Sequence, residues 1–460
     1  MSAQTTVLEK YGKYFSFKLS KKRKLALGYL GLLSLPFLAT FGLDMAEQGT
    51  YATVLTIVNT LAMMAFYLQF PLGSRLKNIS LFANIDWNMS HHKKMGQWIG
   101  FLILMHPVLI LAPRFMMSFQ DGMHSLISVI TAPQMLTALI AWVGMIIWVL
   151  MAIFKDKLKF SYETWRLTHV LGFVAIAILA TLHITSVGSH GQFQENFNII
   201  WWSLCAASVG MVLYNYFVKP WLLRSKPFKL IDVERVSSTD WQVTIEKNDA
   251  SGFDFEAGQF VWLNTSKRSG GVKEHPFSIA SCQADLPKVS FIIRNLGDYT
   301  SKLDTLTLGQ NVYVDGPYGS INLAESAKSK SIVLIAGGAG IGPMLSLLRG
   351  LAEKNDPRPI RLIYGNNHLD QMVLQDEIKM LEKTMPNFKQ QLVCSDVTSE
   401  IDVYQGVIDQ SCIKSVINIE DTTDWTVYLC GPKPMIAGVN KSLKSLKIPK
   451  AHIHYEQLSF

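Results

Sequence analysis

The chain divides into two halves with different hydrophobic patterns. Before about Lys219 the apolar residues form long runs, and after it they occur in short segments broken by glycine and proline. Runs long enough to cross about 30 Å of hydrocarbon occur at residues 25–43, 52–72, 93–113, 132–154, 168–187 and 198–218. The first half therefore predicts an all-α bundle of six transmembrane helices.

The charges between these runs predict an orientation. Lysine and arginine are concentrated before the first run, in segments 74–94 and 155–160, and after the sixth run. The other three connecting segments carry acids and a single arginine, Arg114. Because positive residues stay on the cytoplasmic side, we expect a multi-pass protein of the cell inner membrane, in contact with lipid, with both termini cytoplasmic.

Composition is in keeping with a membrane protein. Charged residues make up 17% of the 460 residues, below the usual quarter. The net charge is +8, but much of the Lys and Arg lies in clusters beside the apolar runs, so we expect no nucleic-acid partner. The five cysteines are scattered without a Cys-x-x-Cys pair, which argues against a disulfide framework, a zinc ribbon and an iron–sulfur cluster.

Four histidines at one repeated spacing bracket the third and fifth runs. His92 and His106 are 14 positions apart, as are His169 and His183. On an α-helix, 14 residues turn through about 1400°, roughly 40° short of four full turns, and rise about 21 Å. Each pair therefore lies on one helix face. Because both helices run from inside to outside, they offer two bis-histidine sites at two depths.

Haem is the ligand that this arrangement favours. Imidazole is a standard axial ligand of haem iron, and ionisable residues inside membranes are rare without a function. We predict two stacked b-type haems, the inner one held by His92 and His169 and the outer one by His106 and His183. His91 competes with His92 for the inner position, about 60° off the shared face.

Other interpretations of this half remain open. Arg166, one turn before His169, and Arg114 could each pair with a haem propionate or be cations that snorkel to the interface. The histidines could also form a proton relay in an ion transporter with a redox-sensing domain. A relay would not require equal depths on two helices.

The second half predicts two soluble domains. From Phe228 onward, short β-like segments separated by turn residues indicate a small antiparallel barrel. Residues 331–354 follow as a buried strand, a glycine-rich turn and a helix, and 361–367 and 425–435 are further strands that end in glycine. This order is typical of a parallel α/β sheet with its ligand at the carboxyl ends of the strands. The glycines would let the backbone approach a pyrophosphate, although glycine turns also occur where strands pack tightly on helices.

Six motifs carry a family resemblance: HPFSIAS from His275, IRNLGDYT from Ile293, GPYG, GGAGIGP, YGNN and CGPKPM. Their order is that of the ferredoxin–NADP reductase superfamily. With the histidine pairs upstream, the chain resembles the ferric reductase/NADPH oxidase family, including its bacterial members, from about residue 25 to Phe460. The resemblance implies a haem-binding domain over 1–222, a FAD-binding β-barrel over 223–325 and an NAD(P)H-binding α/β domain over 326–460.

The resemblance also implies a flavin site. Its HPFS motif would line the flavin, with Ser278 hydrogen-bonding near N5. Many relatives place arginine where His275 stands, so Arg294 is the candidate partner of the FAD phosphates. The full set of implied FAD residues is His275, Pro276, Phe277, Ser278, Arg294, Asp298, Tyr299 and Thr300.

NAD(P)H would lie against the glycine turn and the ends of the neighbouring strands. Cys430 would flank the nicotinamide, and Phe460 would stack on the isoalloxazine ring until the nicotinamide displaces it. Ser278, Cys430 and Phe460 are thus the implied catalytic residues. The implied nucleotide-binding residues are Gly337, Gly338, Gly340, Gly342, Pro343, Tyr364, Gly365, Cys430, Gly431 and Pro432.

These expectations add up to a transmembrane oxidoreductase. Hydride transfer delivers two electrons and a haem accepts one, and FAD supports both steps. Reduction of O2 to superoxide and reduction of a ferric or cupric chelate need the same chain of cofactors, and a reductase subunit for a separate partner protein is an alternative. Asn366, Asn367 and His368 do not decide between NADH and NADPH.

Overall fold

The computed structural model describes residues 21–39, 49–77, 79, 81–82, 84–187, 195–247, 252–266, 273–396, 402–417 and 424–455. They belong to two compact units. The first comprises residues up to 83, 91–158 and 169–211, and the second comprises 84–90, 159–168 and 212 onward.

The first half of the chain is helical. Its helices are α1 (Lys21–Ala39), α2 (Thr50–Gly73), α3 (Ile85–Met117), α4 (Phe119–Thr131), α5 (Leu136–Ile153), α6 (Tyr162–Val187) and α7 (Glu195–Leu213), followed by a π-helical turn (Tyr214–Val218) and α8 (Lys219–Arg224). In the first unit, buried apolar side chains of α2, α3, α5, α6 and α7 form one cluster.

Among the helices in the described ranges, five are long and apolar enough to cross a membrane. They are Thr50–Gly73, Trp87–Met117, Pro133–Ile153, Tyr162–Val187 and Asn198–Arg224, and they coincide with the second to sixth predicted runs. Helix α1, where the first run begins, is not among the five. Its 19 residues begin with four cations, KKRK, which shortens its apolar part.

Helix α4 lies where the sequence suggested only a connecting segment. Its N-terminus is capped by Ser118, whose hydroxyl accepts a hydrogen bond from the backbone N–H of Asp121 at 3.0 Å. At 13 residues the helix is only about 20 Å long. Asp121 and Gly122 interrupt the apolar pattern of this segment and hid the helix.

The next six strands form an antiparallel barrel. They are β1 (Phe228–Arg235), β2 (Asp240–Lys247), β3 (Phe260–Asn264), β4 (His275–Ser278), β5 (Lys288–Arg294) and β6 (Asn311–Tyr318), in the order β4-β3-β6-β1-β2-β5. An antiparallel bridge between Ile279 and Phe291 joins the two edge strands. The sheet therefore closes around apolar side chains such as Leu230 and Val243, both fully buried.

The last domain is a parallel sheet with helices on both faces. Its strands are β7 (Ser331–Gly337), β8 (Ile360–Asn366), β9 (Phe388–Cys394), β10 (Val403–Gln405), β11 (Trp425–Cys430) and β12 (Ile453–Tyr455), and its helices are α9 (Ile341–Glu353), α10 (Gln375–Thr384), α11 (Gln410–Val416) and α12 (Lys433–Ser445). Helices α9 and α10 cover one face, and α11 and α12 cover the other.

The strands lie in the order β10-β9-β8-β7-β11-β12, and all neighbours are parallel. From β7 the chain adds β8, β9 and β10 on one side and then β11 and β12 on the other, so the order of addition switches sides at β7 and β11. In open α/β sheets, ligands bind outside the carboxyl ends of the strands at such a switch point. The antiparallel FAD-type domain and the parallel nucleotide-type domain of the prediction are confirmed, and the switch point locates the candidate site of the second.

Candidate functional site

The structure brings the predicted inner histidines together. The ring of His92 on α3 lies 6.2 Å from the ring of His169 on α6, measured between centroids. Two iron–nitrogen bonds of about 2.0 Å and the roughly 1.1 Å from each nitrogen to its ring centre add up to about 6 Å. The spacing of the two imidazoles therefore fits a bis-histidine haem.

The surroundings of His92 support the same chemistry. Its Nδ1 lies 3.2 Å from the backbone carbonyl oxygen of Gln69 on α2. An Nδ1–H that donates to this carbonyl leaves the lone pair on Nε2 for a metal, the usual arrangement of ligating histidine. A side chain at Gly73 would touch the same ring, with its Cβ 3.5 Å from the ring carbon Cε1. The contact with Gln69 was not foreseen, because a carbonyl 23 residues away leaves no signal in the sequence.

The predicted outer histidines lie on the same two helices. His106 on α3 and His183 on α6 are both half-buried. Within the described ranges, no three His, Cys, Asp or Glu side chains converge as a metal site. A haem needs only two protein ligands, so histidine pairs are the arrangement this chain offers, and the outer pair stays a prediction.

The HPFS motif forms β4, and its side chains alternate between two faces. His275 stacks on Tyr299 with ring centroids 4.0 Å apart and planes 28° apart, and Phe277 lies 6.1 Å from the same ring. The phenol of Tyr299 is 3.0 Å from the hydroxyl of Thr265, and burial raises its pKa to about 12. Because alternate residues of a strand point to opposite faces, Ser278 projects away from this aromatic stack.

The motif also contacts the first turn of α6. Glu163 Oε1 lies 3.2 Å from His275 Nε2. Arg166 donates to the hydroxyl of Tyr216 at 3.0 Å and lies 4.0 Å from the carboxylate of Glu274. Burial lowers the pKa of His275, which favours neutral imidazole. Sequence reasoning missed Glu163, since its partner is over a hundred residues away.

The loop after β5 is a compact turn. The hydroxyl of Thr300 accepts hydrogen bonds from the backbone N–H groups of Leu296 at 2.9 Å and Gly297 at 3.1 Å, while Asp298 is exposed. Turns of this kind present backbone N–H groups to anions. The implied role of these residues at the FAD phosphates stays a prediction.

Arg294 is held between two domains. Its Nε and Nη2 donate to the two carboxylate oxygens of buried Asp240, each at 3.0 Å. Nη2 also donates to Asn366 Oδ1 at 3.0 Å, and the guanidinium packs against Gly338, which has a φ of +55°. The guanidinium thus faces the glycine turn of the parallel sheet, and its predicted pairing with FAD phosphates stays untested.

The glycine turn connects β7 to α9 at the switch point. A Cβ on Gly340 would overlap the carbonyl oxygen of Cys430, and one on Gly337 would overlap the sulfur of Met435. A Cβ on Gly342 would lie 3.9 Å from the Cβ of Ser278. The turn, called the glycine cradle below, therefore brings Ser278 of the barrel, the glycines and Cys430 of β11 close together. At Gly337 and Gly340 the neighbours are atoms of the protein itself, so tight packing accounts for these two glycines. The expected binding of FAD and NAD(P)H at the glycine cradle stays a prediction.

The remaining residues predicted to bind the nucleotide lie in or next to the glycine turn, β8 and β11. Pro343 is buried in the first turn of α9. Tyr364 is fully buried beneath the sheet edge, and a Cβ on Gly365 would meet Ile408 at 3.1 Å, so both have packing roles. Gly431 and Pro432 lead from β11 into α12. Phe460 lies outside the described residues.

Three sequence families match the chain in succession. Residues 27–181 match the ferric reductase like transmembrane component, residues 225–322 an FAD-binding domain, and residues 334–441 the oxidoreductase NAD-binding domain. Together they are the domains of a ferric reductase/NADPH oxidase-like protein with a ferredoxin–NADP reductase-like part.

The curated relatives match the second half. The reductase component of propane 2-monooxygenase from Mycolicibacterium smegmatis is 31% identical over 216 residues, which cover 45% of this chain and 60% of the relative. The toluate 1,2-dioxygenase electron transfer component of Pseudomonas putida is 29% identical over 233 residues, covering 50% and 66%. The chain thus spans about three-fifths to two-thirds of the length of these relatives.

Among solved structures, the flavohem-like FAD/NAD-binding domain of nitric oxide dioxygenase from Vibrio cholerae is similar. It aligns with a TM-score of 0.45 and 23% identity, over 50% of this chain and 97% of that domain.

Proposed function

Because its three domains match those of a ferric reductase/NADPH oxidase-like protein, we propose that this chain is a transmembrane oxidoreductase. It passes electrons from cytoplasmic NAD(P)H through FAD and two bis-histidine b-type haems to an acceptor on the outer face. The 6.2 Å between the rings of His92 and His169 carries this proposal. Ionisable residues inside apolar helices are rare without a function, and two imidazoles at that spacing match a pair of haem ligands.

The chain's own residues divide the work. Gly340 and Gly342 keep the loop close enough to β11 and to the barrel for NAD(P)H to reach the flavin face beside Ser278. The stack of His275, Tyr299 and Phe277 supports the opposite side of β4. FAD supplies the chemistry that accepts a hydride and releases single electrons. The barrel and the cradle position it and exclude water.

Ligation by two histidines constrains the last step. Two histidines would hold each haem and would leave no site for a substrate to bind its iron directly. The acceptor is therefore expected at the edge of the outer haem, beside His106 and His183. O2, which gives superoxide, and a ferric or cupric chelate both suit such outer-sphere transfer.

A second candidate is a reductase that serves a separate protein. The relatives named above are, by their names, reductase or electron transfer components of a monooxygenase and a dioxygenase. A partner protein docked at the outer face would take the place of the small-molecule acceptor. The histidine pair on α3 and α6 is common to both candidates.

The proposal is tested with a histidine variant and its neighbour. His92→Leu should remove one of two haems per chain and block haem reduction by NADH or NADPH, while flavin-dependent reduction of ferricyanide persists. His91→Leu is the matched control and should keep both haems. Haem content is measured as the pyridine haemochrome, and reduction is followed in the b-type absorbance bands. Full haem content in His92→Leu would contradict the proposal.

The acceptor is identified with the same purified protein. Superoxide formation, tested for sensitivity to superoxide dismutase, is compared with reduction of a ferric chelate under anaerobic conditions. Activity in the first assay alone identifies an oxidase and in the second alone a chelate reductase. Reduced haems with neither acceptor consumed would favour the partner protein.

A further inference from the structure

An ion pair joins the ends of strands β8 and β9, beside the glycine turn. His368 Nδ1 lies 2.6 Å from Asp396 Oδ2, and about half of each side chain is exposed, 54% and 55%. The backbone N–H of Asp396 donates to the carbonyl oxygen of Asn367 at 3.1 Å, which fixes the position of the acid along the sheet edge. Both side chains are therefore accessible to a ligand.

The position of this pair follows from the order of the parallel strands. Gly337 of β7 is registered with Gly365 of β8, and Asn366 of β8 with Cys394 of β9. The carboxyl ends of β7, β8 and β9 are therefore neighbours, spaced by about 4.8 Å each. A dinucleotide with its pyrophosphate at the glycine turn and its nicotinamide at Cys430 on β11 extends its adenosine towards β8 and β9.

Asn366, which stands at the end of β8, is turned inward. Its Oδ1 accepts from Arg294 at 3.0 Å, and its Nδ2 donates to the hydroxyl of Tyr364 at 3.1 Å and to the carbonyl oxygen of Gln371 at 2.9 Å. These bonds use its side chain within the protein. A group that recognises the adenosine ribose must come from a neighbouring position.

Acids outnumber cations among the described residues near this edge. Residues 364–372, 394–396 and 402–409 contain four acids and no lysine or arginine, and the guanidinium of Arg294, which reaches Asn366, is paired with Asp240. A 2′-phosphate is normally bound by arginine, whereas an acid accepts a hydrogen bond from a free 2′-hydroxyl. The ion pair uses Asp396 Oδ2, and an ionised carboxylate can accept about four hydrogen bonds, so the pairing with His368 is compatible with a ribose contact.

We propose that Asp396 is a specificity-determining residue that makes the enzyme prefer NADH to NADPH. Its carboxylate accepts a hydrogen bond from the 2′-hydroxyl of the adenosine ribose and repels a 2′-phosphate. Asp396 thus supplies, from the end of β9, an acid that no residue of β8 itself provides. This inference rests on the proposed function, since it concerns the same nucleotide site.

The test compares both nucleotides with full-length protein in detergent, using ferricyanide to take electrons from the flavin. Wild-type protein should give the higher kcat/KM with NADH. Asp396→Asn should lower kcat/KM for NADH about tenfold and raise it for NADPH, because a hydrogen bond to a charged group is lost and a repulsion is removed. Calorimetric titration with ADP-ribose and its 2′-phosphate should show the same exchange without turnover.

Asp424→Asn is the matched control. Asp424 is also an aspartate in an ion pair, with Lys330 at 2.7 Å, but it precedes β11 at the opposite edge of the sheet. Its variant should keep the nucleotide ratio of the wild type. A wild type that prefers NADPH, or an unchanged ratio in a folded Asp396→Asn variant, would overturn the inference alone. Failure of both nucleotides to reduce the flavin would overturn the proposed function and this inference with it.

Discussion

At the scale of single residues, Gly340 is where the glycine turn comes closest to β11. A methyl group there would overlap the carbonyl oxygen of Cys430 and would come within 2.9 Å of the backbone nitrogen of Gly431. Backbone atoms cannot rotate away as a side chain can. The turn and the strand would have to separate.

Gly340→Ala should therefore weaken NAD(P)H binding more than it affects haem binding. Overpacking of this kind costs about 1–3 kcal/mol, so KM for the nucleotide should rise at least about fivefold while haem content stays constant. KM is measured by ferricyanide reduction, and the stability of the flavin domain is measured by the midpoint of thermal flavin release. Gly438→Ala in α12, where a new Cβ would meet nothing within 4 Å, should be neutral or stabilise by about 0.5–1 kcal/mol. Equal behaviour of the two variants would show that the close approach is unimportant.

Residues could be predicted from sequence where chemistry and spacing coincide. His92 and His169 were chosen by a spacing that only a helix gives, and the structure brings their rings together. Gln69, Glu163 and Asp396 could not be chosen, because each acquires its meaning from a partner distant in the chain. For such polar residues the fold, and not the local pattern, decides which contact forms.

At the scale of elements, β4 is linked to the start of α6. The imidazole of His275 faces Glu163 and Arg166 from α6 and its neighbour Glu274 on the barrel side, and Tyr299 covers its ring. Burial is the largest influence and lowers the pKa of His275, the two glutamates act in the opposite direction, and Arg166 lowers it further. The contact therefore holds a neutral imidazole.

This contact should make the flavin domain sensitive to acid. In an unfolded chain histidine titrates near pH 6.5, and in the folded protein His275 binds its proton less readily. Its stabilising contribution is thus present above about pH 6.5 and is lost as the pH falls through the lower, folded-state pKa. The midpoint of thermal FAD release should fall on acidification more in wild type than in His275→Asn.

His124→Asn, a change at an exposed histidine of α4, is the control and should follow the wild-type curve. If His275→Asn also followed that curve at every pH, the buried imidazole would not be the source of the acid sensitivity. The effect of the Glu163 charge on this acid sensitivity is tested by Glu163→Gln, which keeps a hydrogen-bond acceptor and removes the charge.

Helices and strands could be predicted from sequence where the apolar residues form one regular pattern. The apolar runs predicted the five helices that are long enough to cross a membrane, and the short β-like segments and buried strands predicted the two sheets. Helix α4 was missed because Asp121 and Gly122 interrupt a short amphipathic pattern. Closure of the barrel through Ile279 and Phe291 was beyond reach, since a single bridge between distant residues has no periodicity.

At the scale of the whole molecule, charge and histidine positions together define a direction. Lysine and arginine flank the ends of the apolar runs where residues 74–94 and 155–160 occur, which favours a cytoplasmic location for those segments. His92 lies at the end of the first segment and His169 shortly after the second, and His106 and His183 come about 21 Å further along the helices. The proposed flow therefore runs from the nucleotide domain to the inner pair and then to the outer pair.

His183→Leu separates the two ends of this path. The variant should lose the outer haem, keep the inner one beside His92 and His169, and retain NADH-driven ferricyanide reduction at the flavin. Sealed vesicles are prepared with the nucleotide domain facing outward and an acceptor trapped inside. Wild-type protein should reduce this acceptor, and the variant should reduce it at least about a hundredfold more slowly. The reason is that electrons lose the outer haem as an intermediate site in the second half of the membrane. Vesicles of opposite orientation should oxidise no added NADH until they are permeabilised, which tests the direction given by the charges. Undiminished reduction of the trapped acceptor by His183→Leu would mean that electrons do not cross the bilayer through the outer histidine pair.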